Sequence, residues 1–129
     1  GLLKDARAIL SQANDQSALA DIADSEARLA LAMGEAAEAL ELAEEARMRA
    51  AETGNHKAQF DGLITAGRAL EALDRRDDAL ALYASAAELV ETESGSPGRR
   101  REVYGAWADA LASAGRHADA YAVAKRALA

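Results

Sequence analysis

The segment from Glu102 to Ala129, EVYGAWADALASAGRHADAYAVAKRALA, restricts the fold more than any other part of the chain. Its residues Val103, Tyr104, Trp107, Ala108, Leu111 and Ala114 recur at three- and four-residue steps, which places them on one face of a helix. A Gly115-Arg116 break follows, and Ala120, Ala124 and Ala127 resume the rhythm. Two short antiparallel helices satisfy this pattern. Small residues stand where backbones must approach and large ones where a gap must be filled. Such a pair suits stacking on similar pairs rather than closing on itself.

The same unit stands twice upstream. A shift of 41 residues brings Tyr104, Trp107, Ala108, Leu111, Ala120 and Ala127 onto Leu63, Ala66, Gly67, Leu70, Ala79 and Ala86, with Asp74 in place of Gly115. A further shift of 40 reaches Ala23, Glu26, Ala27, Ala30, Ala39 and Ala46, with Gly34 at the turn and the pattern broken at Glu26. On these residues the chain resembles the tetratricopeptide family. The run Tyr104-x2-Trp107-Ala108-x2-Leu111, then Gly115, then Ala120-x3-Ala124-x2-Ala127 follows that family's order. The likeness spans almost the whole chain. It departs in period, which is about 34 residues in the family, and in lacking the proline that closes many repeats. The longer period is similar to that of bacterial regulators of the maltose-activator type and of the sensor halves of actinobacterial helix-turn-helix regulators. The resemblance implies an all-α solenoid of antiparallel helix pairs winding as a right-handed superhelix.

Composition agrees with helices packed through small side chains: 36 of the 129 residues are alanine, one is proline, and only 4% are aromatic. Strands call for the β-branched and aromatic residues that are scarce here. A formal charge of -7, from 22 acids against 15 bases, opposes direct binding of nucleic acid by this segment. Without cysteine there are neither disulfides nor thiolate metal sites. No apolar run approaches a membrane span and no signal-peptide pattern is present, so a cytoplasmic location is expected.

The periodicity predicts helices over 2–14, 17–33, 36–53, 57–73, 76–93, 98–114 and 117–128. They group as the second helix of a truncated repeat (1–14) and three repeats (17–53, 57–93, 98–129) in a single domain. Leu2, Ala6 and Leu10 lie 40 residues before Leu42, Ala46 and Ala50, so the chain starts within a repeat and reads as a piece of a longer protein. Gly34 and Gly115 end helices, and Asp74 with Asp77 is expected to accept amides at the next helix start. In Ser94-Gly95-Ser96-Pro97-Gly98, Ser96 is the candidate N-cap and Pro97 the first helical residue.

No phosphate loop, nucleophile elbow or His-Glu-x2-His motif is present, so no catalytic residue, metal or cofactor is assigned and an enzyme is not expected. His56 and His117 are read as surface turn residues. Glu35, Glu38, Glu41, Glu44 and Glu45 are read as a solvated helix face opposite Leu40, Ala43 and Ala46, with Glu45 paired to Arg49. Arg99, Arg100 and Arg101 are read as facing an acidic partner or neighbouring domain, or as a solubilising cluster. Trp107, Tyr104 and Tyr83 are read as core, and Tyr121 as more exposed.

The resemblance also implies a partner-binding groove along the first helix of each repeat. It falls on Asp21, Asp24, Ser25 and Arg28; on Asp61, Ile64, Thr65 and Arg68; and on Glu102, Gly105, Asp109 and Ser113. The Lys and Asn residues of the subfamily that grips chaperone tails are missing from these positions. Five acids against two arginines favour a neutral or basic protein or peptide. Alternatively Arg28 pairs with Asp24, and Arg68 with Glu71 or Asp109. The expected function is an interaction module, as the sensor or assembly half of a bacterial transcription regulator. The alternative is an adaptor or oligomerisation scaffold joined through its exposed ends.

Overall fold

A computed structural model describes residues 1–92 and 97–128. Its described residues form seven helices: α1 (Leu2–Gln12), α2 (Gln16–Ala32), α3 (Ala36–Thr53), α4 (His56–Ala72), α5 (Arg76–Thr92), α6 (Pro97–Ser113) and α7 (His117–Arg126). Pro97 opens α6, while Ser96, the expected cap, and Glu93, the expected end of α5, lie outside the described residues. The helices follow the predicted bounds to within two residues, the largest differences being early stops at Gln12 and Arg126.

One turn is used again and again. The amide of Asp15 donates to the Leu10 carbonyl, Glu35 to Ala30, Asn55 to Ala50, Arg75 to Leu70 and Arg116 to Leu111, a bond that closes a helix C-terminus onto the residue beyond its end. The first four of these stand at twenty-residue intervals. The long repeat is therefore two similar helix-plus-turn halves, and the connection between repeats has the geometry of the turn within them. Each such turn passes through the left-handed region at Asn14 (φ 55°), Gly34 (80°), Gly54 (68°), Asp74 (61°) and Gly115 (79°). Asp74 thus ends α4 by the same backbone conformation as the glycines, which short polar side chains tolerate, rather than serving as the opening cap of α5. The next helices are capped where the sequence supplies an acceptor: Asp15 accepts from the Ala18 amide and Asn55 from Ala58.

Consecutive helices pack pairwise along the chain, and α2 also packs on α4 and α4 on α6, so the odd-numbered helices form an outer row and α2, α4 and α6 an inner one. The two halves of the stack are filled differently. Between α2, α3 and α4 the buried contacts are layers of one alanine from each helix: Ala20, Ala50 and Ala58; Ala27, Ala43 and Ala66; Ala30, Ala39 and Ala69. Buried Ala23, Ala46 and Gly62 occupy the matching place between the first two layers. A Cβ on Gly62 would lie 2.6 Å from Arg47 Cγ, so the glycine here leaves room for the Arg47 stem. From α4 onward a single cluster holds larger side chains, with Phe60, Tyr83, Val103 and Tyr104 each at most 2% exposed. Gly67 makes room for Tyr83, whose ring a Cβ there would meet at 2.5 Å. Tyr83 then donates its hydroxyl to Glu71 Oε2 at 2.5 Å, and burial followed by that bond raises its pKa. α1 is held differently: none of its residues is buried, and Arg7 ties it to Glu26 of α2 and, at 2.6 Å, to Glu45 of α3.

Tyr83 and Tyr104 are core and Tyr121 is 68% exposed, as the sequence reading expects. Trp107 departs from that reading. It stacks on Tyr104 with ring centroids 6.2 Å apart but stays half-buried at the edge of the cluster, because the space behind it is already filled by Tyr104. Tyr104→Ala is accordingly expected to cost about 3 to 5 kcal/mol in urea denaturation, and Trp107→Ala distinctly less; equal losses would return Trp107 to the core. Gly67→Ala is expected to destabilise by about 1 to 3 kcal/mol through collision with Tyr83. Gly105→Ala, with open space around the new methyl, should stabilise α6 by about 0.5 to 1 kcal/mol.

Candidate functional site

The inner row brings most of the expected groove residues together. Asp21, Arg28, Arg68, Glu102, Asp109 and Ser113 are exposed on α2, α4 and α6, while Ser25, Asp61 and Gly105 are half-buried. Asp24, Ile64 and Thr65 do not face a ligand. Asp24 and Thr65 are buried together where α2 packs on α4, and Ile64 is buried in the cluster of larger side chains that begins at α4.

The burial of Asp24 sets the local electrostatics. Its side chain is 4% exposed; Oδ2 pairs with Arg28 Nε at 3.2 Å, and Oδ1 is buried without a hydrogen-bond partner among the described residues. Burial raises the carboxyl's pKa, as does Asp61, against the opposing pull of the Thr65 hydroxyl, Arg28 and Lys57. Lys57, absent from the expected set, reaches Asp61 Oδ2 at 2.8 Å and also feels Asp21 on the neighbouring helix. Its position four residues before Asp61 is a signal already present in the sequence. Among the expected groove positions, with Asp24 withdrawn and Lys57 added, the accessible charges are four acids (Asp21, Asp61, Glu102, Asp109) and three bases (Arg28, Lys57, Arg68), nearer balance than the expected acidic surface.

Of the alternative pairings, Arg28 does pair with Asp24. Glu71 is engaged by Tyr83, and Arg68 makes no ion pair among the described residues; Arg68 and Asp109 both act on the Tyr83 hydroxyl. The arginine trio also divides. Arg100 turns inward to Glu91 and the Arg126 carbonyl (3.1 Å), over the Tyr104 ring, and Arg99 lies 6.0 Å from the Phe60 ring centre. Only Arg101 keeps the outward position expected of all three. Of the acidic run, Glu45 pairs with Arg49 at 2.9 Å as expected, and it also takes Arg7.

His56 and His117 are exposed, and no group of three or more metal-ligating side chains is gathered among the described residues. No helix among them is long and apolar enough to cross a membrane.

The arrangement of alternating inner and outer helices matches a solved structure, the TPR domain of Arabidopsis FLU, with a TM-score of 0.79 over 88% of this chain and 94% of that one, at 17% identity. The chain has a tetratricopeptide-repeat fold. No family model matches its sequence, and no curated protein does so. At that identity the likeness is one of fold. Within the tetratricopeptide arrangement, the residues of the inner row recur in register: Asp21, Asp61 and Glu102 occupy one repeat position, and Arg28, Arg68 and Asp109 another seven residues on.

Asp24→Asn tests the electrostatics. Because the folded state holds the Asp24 proton more tightly than the unfolded chain does, this group's contribution to stability falls as pH rises from the ordinary aspartate value of 3.8 through the elevated folded value. Asp24→Asn should therefore be more stable than the parent protein at pH 7, and the gap should close below that ordinary value in denaturation at several pH values. A gap independent of pH would mean that the carboxyl is not strained by its burial.

Proposed function

We propose that the inner faces of α2, α4 and α6 dock a segment of a partner protein, making the domain a protein-interaction module. The observation that carries this reading is the register of two charged rows across three adjacent helices, Asp21, Asp61 and Glu102 in one and Arg28, Arg68 and Asp109 in the other. Seven residues along a helix separate them by roughly 10 Å. An extended chain laid between the rows presents both amides and carbonyls at each edge, so that amides on one side donate to the carboxylates and carbonyls on the other accept from Arg28 and Arg68, whose guanidiniums fork to oxygen acceptors. The near balance of accessible charge suits a segment of little net charge.

The narrower role, the sensor or assembly half of a bacterial helix-turn-helix regulator, is supported by the long repeat period and by resemblance. A basic helix-turn-helix domain encoded ahead of Gly1 would support it, and an unrelated segment there would remove it.

The docking surface itself is tested by replacing Arg28 and Arg68 together with alanine. A partner captured from extract by the parent protein should be recovered at least about tenfold less by the double variant, the loss of two charge-assisted hydrogen bonds, with far-ultraviolet dichroism unchanged. Equal recovery by both proteins would place docking elsewhere.

A further inference from the structure

The inner face holds neither of two large hollows in the surface. These hollows, about 480 and 620 Å³, lie along the outer helix α3, one walled by α1 and α2 and the other reaching Gln16 of α2. Leu2, Leu29 and Met33 line the first, with Glu35 and Glu38 at its rim; Leu40 and Met48 line the second, with Glu41, Glu44 and Glu52. Arg7 separates them, because it grips Glu26 at the edge of one and Glu45 at the edge of the other. Both methionines of the chain sit here and both are exposed, Met33 by 64% and Met48 by 66%. Leu29 beside Met33 is 53% exposed. Flexible, polarizable thioethers at an open surface adapt to apolar side chains of varied shape.

We propose that this edge is a second docking surface, separate from the inner face, and that it takes a basic amphipathic α-helix of a partner protein. The spacing along α3 supports a helix as occupant. Glu38, Glu41, Glu45, Met48 and Glu52 follow one another at steps of three and four, a single stripe that runs beside both hollows. From Glu38 to Glu52 it extends roughly 21 Å, about four turns of a partner. A partner's apolar ridge at the same steps meets the hollows, and its flanks meet the stripe.

Charge decides the sign of the partner. The bases lining the hollows are Lys4 and Arg49, and Arg49 is already paired with Glu45. Glu45, despite partial burial, is held below the usual carboxylate range by Arg7 and Arg49. Glu38 is in the opposite state: the adjacent Glu35 carboxyl raises its pKa, and Glu41 and Glu26 add to the effect. An incoming Lys or Arg relieves this crowding of like charges. A second copy of this chain, itself at -7, adds to it.

The full chain labelled with ¹³C at its methionine methyls supplies two reporters, one in each hollow. The probe is a synthetic helix of about 18 residues, long enough to span the stripe, with Leu at i, i+3, i+4 and i+7 and Lys or Arg elsewhere. Both methyl signals should shift together and saturate, and affinity should fall about tenfold between low and high salt. Glu38→Gln combined with Glu41→Gln, at exposed positions that leave the fold intact, should weaken binding about as much, whereas Arg28→Ala with Arg68→Ala should leave it unchanged. The proposal is overturned if neither methyl responds, or if salt and the glutamine variant make no difference. It is equally overturned if the methyls shift with protein concentration alone, which would mark the edge as a contact between copies of this chain.

Discussion

The close approach of α2, α3 and α4 through layers of alanine is the constraint on which the rest of the structure depends. Each layer takes one residue from each helix, and three of the four are wholly alanine: Ala20, Ala50 and Ala58; Ala27, Ala43 and Ala66; Ala30, Ala39 and Ala69. Helix axes draw together to the short end of the roughly 8 to 10 Å range when the contact residues are small. Ala buries little apolar area, so the binding energy of any one layer is small and must be accumulated over the length of the helices. The second half of the stack uses the opposite means. Phe60, Tyr83 and Tyr104 fill wider gaps there, and Gly67 gives way where the Tyr83 ring must pass.

That close packing determines what the inner surface can be. With α2 and α4 drawn together, Asp24 and Thr65 are enclosed between them, and Arg28 is left bound to a carboxylate that burial disfavours. The repeated turn sets the other dimension. Since the same bond closes the helix ends at Leu10, Ala30, Ala50, Leu70 and Leu111, equivalent residues of α2, α4 and α6 come level with one another. The two charged rows follow from turn geometry that glycine, asparagine and aspartate all satisfy. α1 packs on α2 without fully burying any residue, and Arg7 ties it to both α2 and α3 between the two hollows beside α3.

The helix pairs and the repeat were legible because apolar spacing reports directly on which face of a helix is buried, and the turns because Gly34 and Gly115 stand at matching positions. Asp74 was harder to read. A residue type that caps helix starts also accepts the left-handed conformation that ends them, and the choice was made by the turn it had to match. Ile64 and Thr65 show the same limit at the groove: a repeat position says which way a side chain leaves its helix, and the distance to the next helix says whether it reaches solvent. Arg99 and Arg100 looked like surface cations, yet their long side chains fold back, Arg99 onto Phe60 of the neighbouring α4 and Arg100 onto Tyr104 one turn along its own helix.

By itself the sequence determined that this chain forms a row of antiparallel helix pairs, because three-residue and four-residue steps of alanine with occasional large residues admit no other economical burial. Only the tertiary structure decided which charged residues remain accessible on the inner row, that Trp107 stays at the margin while Tyr104 enters the core, and that Met33 and Met48 open onto hollows along α3. Periodicity is a property of one helix at a time. Exposure and pairing depend on the separation between helices, and that separation is set by side chains distant in sequence.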